Sequence, residues 1–131
     1  MISFGPELIG RTEKTLVALL RRNLADTGLD EQQYVTLKVA STLAPSEDLA
    51  EAVRGRAHFV DAAQIVTILT NGGLLSDGQL SPAGATLLET ILAKSAGQST
   101  AIWTDIPEDD VAATTRVLNT VLARAEAVLT H

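Results

Sequence analysis

Residues 46–82, SEDLAEAVRGRAHFVDAAQIVTILTNGGLLSDGQLSP, decide the fold. Ser46 reads as a helix cap, with Glu47 and Asp48 in the first turn, where carboxylates suit the positive end of a helix. Leu49, Ala50 and Val53 form the inner side of that short helix, and Gly55 interrupts it. A second helix is predicted over roughly residues 57–70 and is stopped by Asn71-Gly72-Gly73, a C-cap signal. Two short helices joined by a tight glycine turn describe a helix-turn-helix. Asp77-Gly78, set between Leu75 and Leu80, then predicts a very small hairpin. Ser81 and Pro82 begin the next helix as cap and first residue.

Upstream, residues 6–25 form a helix that starts at Pro6, with Ile9, Leu16, Leu20 and Leu24 at helical spacing. Asp30 caps the following helix, and Gln33 completes a capping box. That helix extends to about residue 43, carries Tyr34, Leu37, Val39, Ala40 and Leu43 inward, and is broken by Ala44-Pro45. Downstream of Pro82, a stripe of Leu87, Leu88, Ile91, Leu92 and Ala96 marks a long helix. Gly97 weakens it, but Ile102 and Trp103 indicate that it goes on. Asp105 and Glu108 read as box partners at the start of a last helix over about residues 107–129. There Val111, Thr115, Leu118, Leu122, Ala125 and Leu129 make a coiled-coil-like seam, with Val117, Val121 and Val128 as a second apolar edge. One seam satisfies the chain's own core, whereas two require two neighbours.

The 131 residues suit one domain able to bury a core without staples. A hydrophobic fraction of 46% with only 3% aromatics is the profile of packed helices. The chain has no cysteine, which excludes thiol catalysis, disulfides and thiolate metal sites. With His58 and His131 as the only histidines, strong metal ligands are too few for a metal site, and no cofactor is expected. The start lacks the features of a secretory signal, and no apolar run reaches the ~18 residues of a membrane span, so a cytoplasmic protein is expected.

The order helix, helix, helix-turn-helix, hairpin, long helix, terminal helix resembles the MarR family of winged-helix proteins across essentially the whole chain. The resemblance is carried by Asp30-Glu31-Gln32-Gln33-Tyr34, Leu49-Ala50-Glu51-Ala52-Val53, Asn71-Gly72-Gly73-Leu74-Leu75, Leu80-Ser81-Pro82-Ala83-Gly84 and the acidic residues 105–111. Gly10-Arg11-Thr12-Glu13-Lys14 and residues 117–127 are similar to an actinobacterial branch of that family. The resemblance implies a mainly α, winged helix-turn-helix fold with a very short wing. It also implies a homodimer built by about residues 1–30 and 98–131, a reading lobe with connecting helix over about 31–97, and a small-molecule pocket where the two meet. Trp103, Val111, Leu118, Val121, Leu122 and Leu129 are the candidate dimer residues.

Charge sets the sequence apart from the family pattern. The net charge is −6, which repels phosphate. On the predicted reading helix, His58, Asp61, Gln64, Thr67 and Asn71 share one face, without lysine or arginine. Gln64 and Asn71 suit adenine and Thr67 a thymine methyl or a phosphate, whereas Asp61 repels phosphates nearby. The wing lacks the basic residue usual in the family. Over residues 39–80, Arg54 and Arg56 stand against Glu47, Asp48, Glu51, Asp61 and Asp77, which leaves the lobe at −3.

Arg54, Arg56, His58, Gln64, Thr67 and Asn71 are therefore the candidate contacts to double-stranded DNA. Arg54 and Arg56 serve either as phosphate contacts or as a solvated pair that balances Glu47, Glu51 and Asp61. His58 and Asp61, three apart on a helix, form either a proton-handling pair or a helix-start histidine beside a first-turn acid. Arg11, Tyr34, Lys38, Ser41, His58 and Asp61 are the candidates for a pocket that takes a small aromatic or acidic ligand, with Tyr34 equally readable as a core residue. No nucleophile-and-base constellation is present, which weighs against an enzyme. Two functions follow: a ligand-released, homodimeric transcription regulator, or a relative that has lost operator binding and serves small-molecule binding, protein docking or a cofactor-free biosynthetic step.

Overall fold

The computed structural model describes residues 1–131 and contains six helices and one hairpin. The elements are α1 (Pro6–Leu24), α2 (Glu31–Ser41), α3 (Leu49–Ala57), α4 (Ala62–Asn71), β1 (Leu75–Ser76), β2 (Gln79–Leu80), α5 (Pro82–Trp103) and α6 (Glu108–Leu129). This is the mainly α, winged helix-turn-helix architecture expected from the sequence. The chain divides into two units, Met1–Ser95 and Ala96–His131, and α5 runs from one into the other without a break at Gly97.

The core of the first unit lies between α2, α3, α4 and the hairpin. Leu37, Ala40, Leu49, Val53, Ala62, Ile65, Leu69 and Leu75 form one buried cluster. Thr36 is wholly buried with them, and its hydroxyl is satisfied by donating to the Gln32 carbonyl at 2.8 Å. Gly84, Leu88 and Ile91 are the buried residues of α5, and Asn23 and Leu24 are those of α1.

Local signals account for most helix ends. Asp30 Oδ1 accepts the Gln33 N–H at 2.7 Å and Gln33 Oε1 accepts the Asp30 N–H at 3.0 Å, so the capping box is complete. After α4, the Gly73 N–H donates to Thr70 and the Leu74 N–H to Leu69, both at 3.0 Å, which closes a Schellman motif. Gly73 takes the left-handed φ of 79° that this motif requires. In the hairpin, Leu75 pairs with Leu80 and Ser76 with Gln79, while Asp77 and Gly78 both have positive φ, as a tight two-residue turn demands. Ser81 caps α5 by accepting the Gly84 N–H at 3.0 Å.

Several boundaries differ from the sequence reading. The cap of α3 is Asp48, which accepts the Glu51 N–H at 3.1 Å, and not Ser46. Gly55 lies inside α3 and does not interrupt it; a single helical glycine costs only about 1 kcal/mol, less than neighbouring packing returns. The helix ends instead at His58, which adopts the left-handed conformation with φ 58°. As a result α4 begins at Ala62 and not near residue 57, and α2 ends at Ser41, short of Leu43. The Asp105–Glu108 box does not form: Asp105 has φ 62°, and Pro107 occupies the cap position of α6 with no side-chain cap bond.

In the second unit α6 is 22 residues long and buries none of them. No helix of the chain is long and apolar enough to cross a membrane.

Candidate nucleic-acid interface

The helix-turn-helix is assembled by α3, the connection His58-Phe59-Val60-Asp61, and α4. Ile65 and Leu69 fasten α4 to the core, which leaves Gln64, Thr67 and Asn71 in an exposed row on its outer side. The Thr67 hydroxyl donates to the Ala63 carbonyl of its own helix at 3.0 Å. His58 and Asp61 do not extend this row along a helix, because both lie in the connection before α4; the expected helical i,i+3 pairing of the two is thereby corrected. Asp61 holds the cap position of α4 but makes no side-chain cap bond.

Arg54 and Arg56 occupy the last turn of α3, and each is already engaged by a carboxylate. Arg54 Nη1 lies 2.8 Å from Glu51 Oε1, and Arg56 Nη2 lies 3.0 Å from Glu47 Oε2. Glu47 is itself held, because its other oxygen accepts the Ala44 N–H at 3.1 Å. Beside the arginines, Arg54, His58, Phe59 and Val60 line an open depression of about 330 Å³. Val60 is 95% exposed and Ile68 of α4 56%, although both belong to the apolar set of this segment. Nothing in their spacing distinguished them from Ile65 and Leu69; the start of α4 at Ala62 leaves Val60 in the connection, outside the helix.

The residues considered for a ligand pocket are distributed differently. Arg11 of α1 is exposed and faces Glu7 on its own helix at 3.8 Å. Lys38 and Ser41 are exposed on α2, and the Ser41 hydroxyl donates to the Lys38 carbonyl at 2.6 Å. Tyr34 is half-buried, and burial raises its phenol above its ordinary value. A cavity of about 230 Å³ opens between the end of α1 and the start of α2, lined by Arg21, Leu24, Ala25, Gly28, Leu29, Asp30 and Glu31. It includes none of the six proposed residues. Arg21 stands 3.5 Å from Glu31 across its mouth, a pairing of residues ten apart that the sequence read singly does not announce. No group of three or more His, Asp or Glu side chains converges to hold a metal ion.

On α6, Val111, Leu118, Val121, Leu122 and Leu129 are all exposed, Leu122 at 56%, and Trp103 at the end of α5 is 59% exposed.

Two solved structures share this architecture. CouR from Rhodococcus jostii RHA1, bound to p-coumaroyl-CoA, superposes with a TM-score of 0.70 at 19% identity, over 87% of this chain and 88% of that one. A MarR-family transcriptional regulator from Rhodococcus sp. RHA1 superposes with a TM-score of 0.67 at 20% identity, over the same shares of the two chains, 87% and 88%. No protein-family model and no curated protein matches the sequence. The likeness is one of fold: the chain has the winged-helix fold of MarR-type regulators.

Proposed function

We propose that the protein is a homodimeric, MarR-like transcription regulator that binds double-stranded DNA and is released from it by a small aromatic or acidic ligand. The observation that carries this reading is the exposed row of Gln64, Thr67 and Asn71 on the second helix of a helix-turn-helix, beside a hairpin wing. Amide side chains on such a helix match the paired acceptor and donor of adenine in the major groove. Dimerisation is supported by α6, which leaves its apolar seam bare along a helix of 22 residues. Exposed apolar surface on that scale marks an interaction site, and reading successive grooves requires the two reading helices of such a dimer to lie about 34 Å apart.

Ligand control is supported by analogy with CouR, whose structure holds p-coumaroyl-CoA. The cavity between α1 and α2, at about 230 Å³, lies below the ~300–1,000 Å³ of pockets that enclose drug-sized molecules. It is too small for a whole acyl-coenzyme A, and its one cation, Arg21, is paired with Glu31 beside Asp30, so an acidic ligand would have to displace that carboxylate.

A second reading, a relative that has lost operator binding, is favoured by one observation: both arginines of the reading lobe are paired with glutamates. Specific DNA binders neutralise roughly 6–10 phosphates, and a dimer of this chain offers four arginines there. The two readings are separated by fluorescence-polarisation titration at low and moderate salt, with the DNA upstream of the protein's own gene. The regulator reading expects retention of that DNA above a scrambled duplex at moderate salt. Equal binding of both duplexes, or none, overturns it.

A further inference from the structure

We propose that Glu47 and Glu51 mask Arg56 and Arg54, and that this pair of internal ion pairs sets how strongly the winged-helix lobe attracts a nucleic-acid backbone. The inference rests on the DNA-binding reading for its biological sense, but its test does not need a specific operator.

Arg54 and Arg56 are the only lysine or arginine residues between Val39 and Leu80, so the formal positive charge within the helix-turn-helix and the wing comes from these two side chains. Each guanidinium lies within 3.0 Å of a carboxylate oxygen, at 2.8 Å for Arg54 with Glu51 and 3.0 Å for Arg56 with Glu47. Seen from a phosphate beyond that distance, each pair is a dipole and not a cation. Both carboxylates are local to their arginines. Glu51 sits three residues before Arg54 on the same helix, and Glu47 is tied to the Ala44 amide through its second oxygen.

The pairs are also openable. The arginine side chains are 42% and 47% exposed, so water and ions reach them and the partners can be exchanged. Once a phosphate takes the guanidinium, however, the abandoned carboxylate remains a few ångströms away and repels it. The glutamates therefore act twice, first as competitors and then as like charges, and affinity is held down without any loss of the arginines.

The test compares Glu47→Gln/Glu51→Gln with the unaltered protein on a random-sequence DNA duplex, titrated over a range of salt. A control variant, Glu13→Gln/Glu89→Gln, removes the same two negative charges per chain from exposed positions outside the helix-turn-helix and the wing. Masking predicts at least a tenfold gain in affinity at low salt for the glutamate variant, well beyond the control. It also predicts a steeper salt slope, by up to about 3.6 for four released arginines at ~0.9 each. Adding Arg54→Gln/Arg56→Gln to that variant should erase both effects. Gains equal to those of the control, or no gain, overturn the inference. Preference for the upstream DNA is a separate readout: if it fails while the masking gain appears, the regulator reading falls and the inference stands.

Discussion

Gly84 lies so close to Leu74 that a Cβ on the glycine would overlap the Leu74 carbonyl oxygen, the same oxygen that accepts the Ser81 N–H at 3.1 Å. The first turn of α5 is thereby pressed onto the residue that leads into β1. Leu80 Cδ2 closes the other side, 3.3 Å from where the Cβ would be. The wing is held at its base by backbone proximity, and only glycine permits it.

Gly84→Ala should therefore destabilise the protein by about 1–3 kcal/mol, as forced overpacking does, and lower the urea midpoint. Gly97 is the internal comparison, because it lies on the same helix with open space where a Cβ would go. Gly97→Ala should raise the midpoint, because the helix-propensity difference adds roughly 0.8–1 kcal/mol of stability. An unchanged midpoint for Gly84→Ala would mean that the wing base yields.

These contrasts indicate what could be read from residues alone. Asp30 with Gln33, Ser81 with Pro82, Asn71-Gly72-Gly73 and Asp77-Gly78 act over three or four residues, so their chemistry is complete within the local sequence. The end of α3 was not legible, because Gly55 imitates a break while His58, with no special signature, supplies the left-handed turn. Asp48 and Ser46 both qualify as caps by residue type, and only the packing of Leu49 and Val53 chooses between them. At the candidate site, the Arg54–Glu51 pair is a helical i,i+3 contact that spacing anticipates. The Arg56–Glu47 pair spans nine residues and depends on how the α2–α3 connection folds back. The cavity at Arg21 likewise exists only once α1 and α2 meet.

Tyr34 is the single tyrosine, so its ionisation can be followed without overlap by tyrosinate absorbance. Burial raises its pKa above the ordinary value of 10.0. Below that value the phenol is protonated in folded and unfolded chains alike, and stability is unaffected. As pH rises further, the unfolded chain ionises first, so stability falls until the folded phenol ionises as well. The native absorbance midpoint should exceed that in concentrated urea, and the urea midpoint of unfolding should decline above about pH 10. Tyr34→Phe should remove its share of that decline. Coincident native and denatured absorbance midpoints would show that the ring carries no desolvation penalty.

Leu118 and Leu122 lie four residues apart on α6 and both are exposed, at 38% and 56%. On an isolated helix this seam gains nothing, and a helix without packing is marginal in water. Sedimentation velocity of the unaltered protein should give a dimer at micromolar concentration. Leu118→Glu/Leu122→Glu should shift it to monomer with partial loss of helicity. Thr120→Glu, outside the seam, should leave the dimer intact. A monomeric unaltered protein would remove the two-helix spacing on which groove reading depends.

Gln64 and Asn71 offer neutral amides on the outer side of α4, which can hydrogen-bond a base edge or a phosphate but neutralise no phosphate charge. Their loss should therefore appear in discrimination and not in salt dependence. Gln64→Ala and Asn71→Ala are each expected to reduce the preference for upstream over scrambled DNA by roughly 1–3 kcal/mol, about 5- to 150-fold, if the contact is a paired one to adenine. The slope of log affinity against log salt should stay the same, because no counter-ion is released by an amide. Thr67→Lys should do the opposite, strengthening binding to every sequence and steepening the slope by about 0.9 per added phosphate contact. Should the two alanine variants keep full preference while Thr67→Lys still strengthens binding, α4 would lie near the duplex without reading it, and specificity would have to arise from the shape of the DNA.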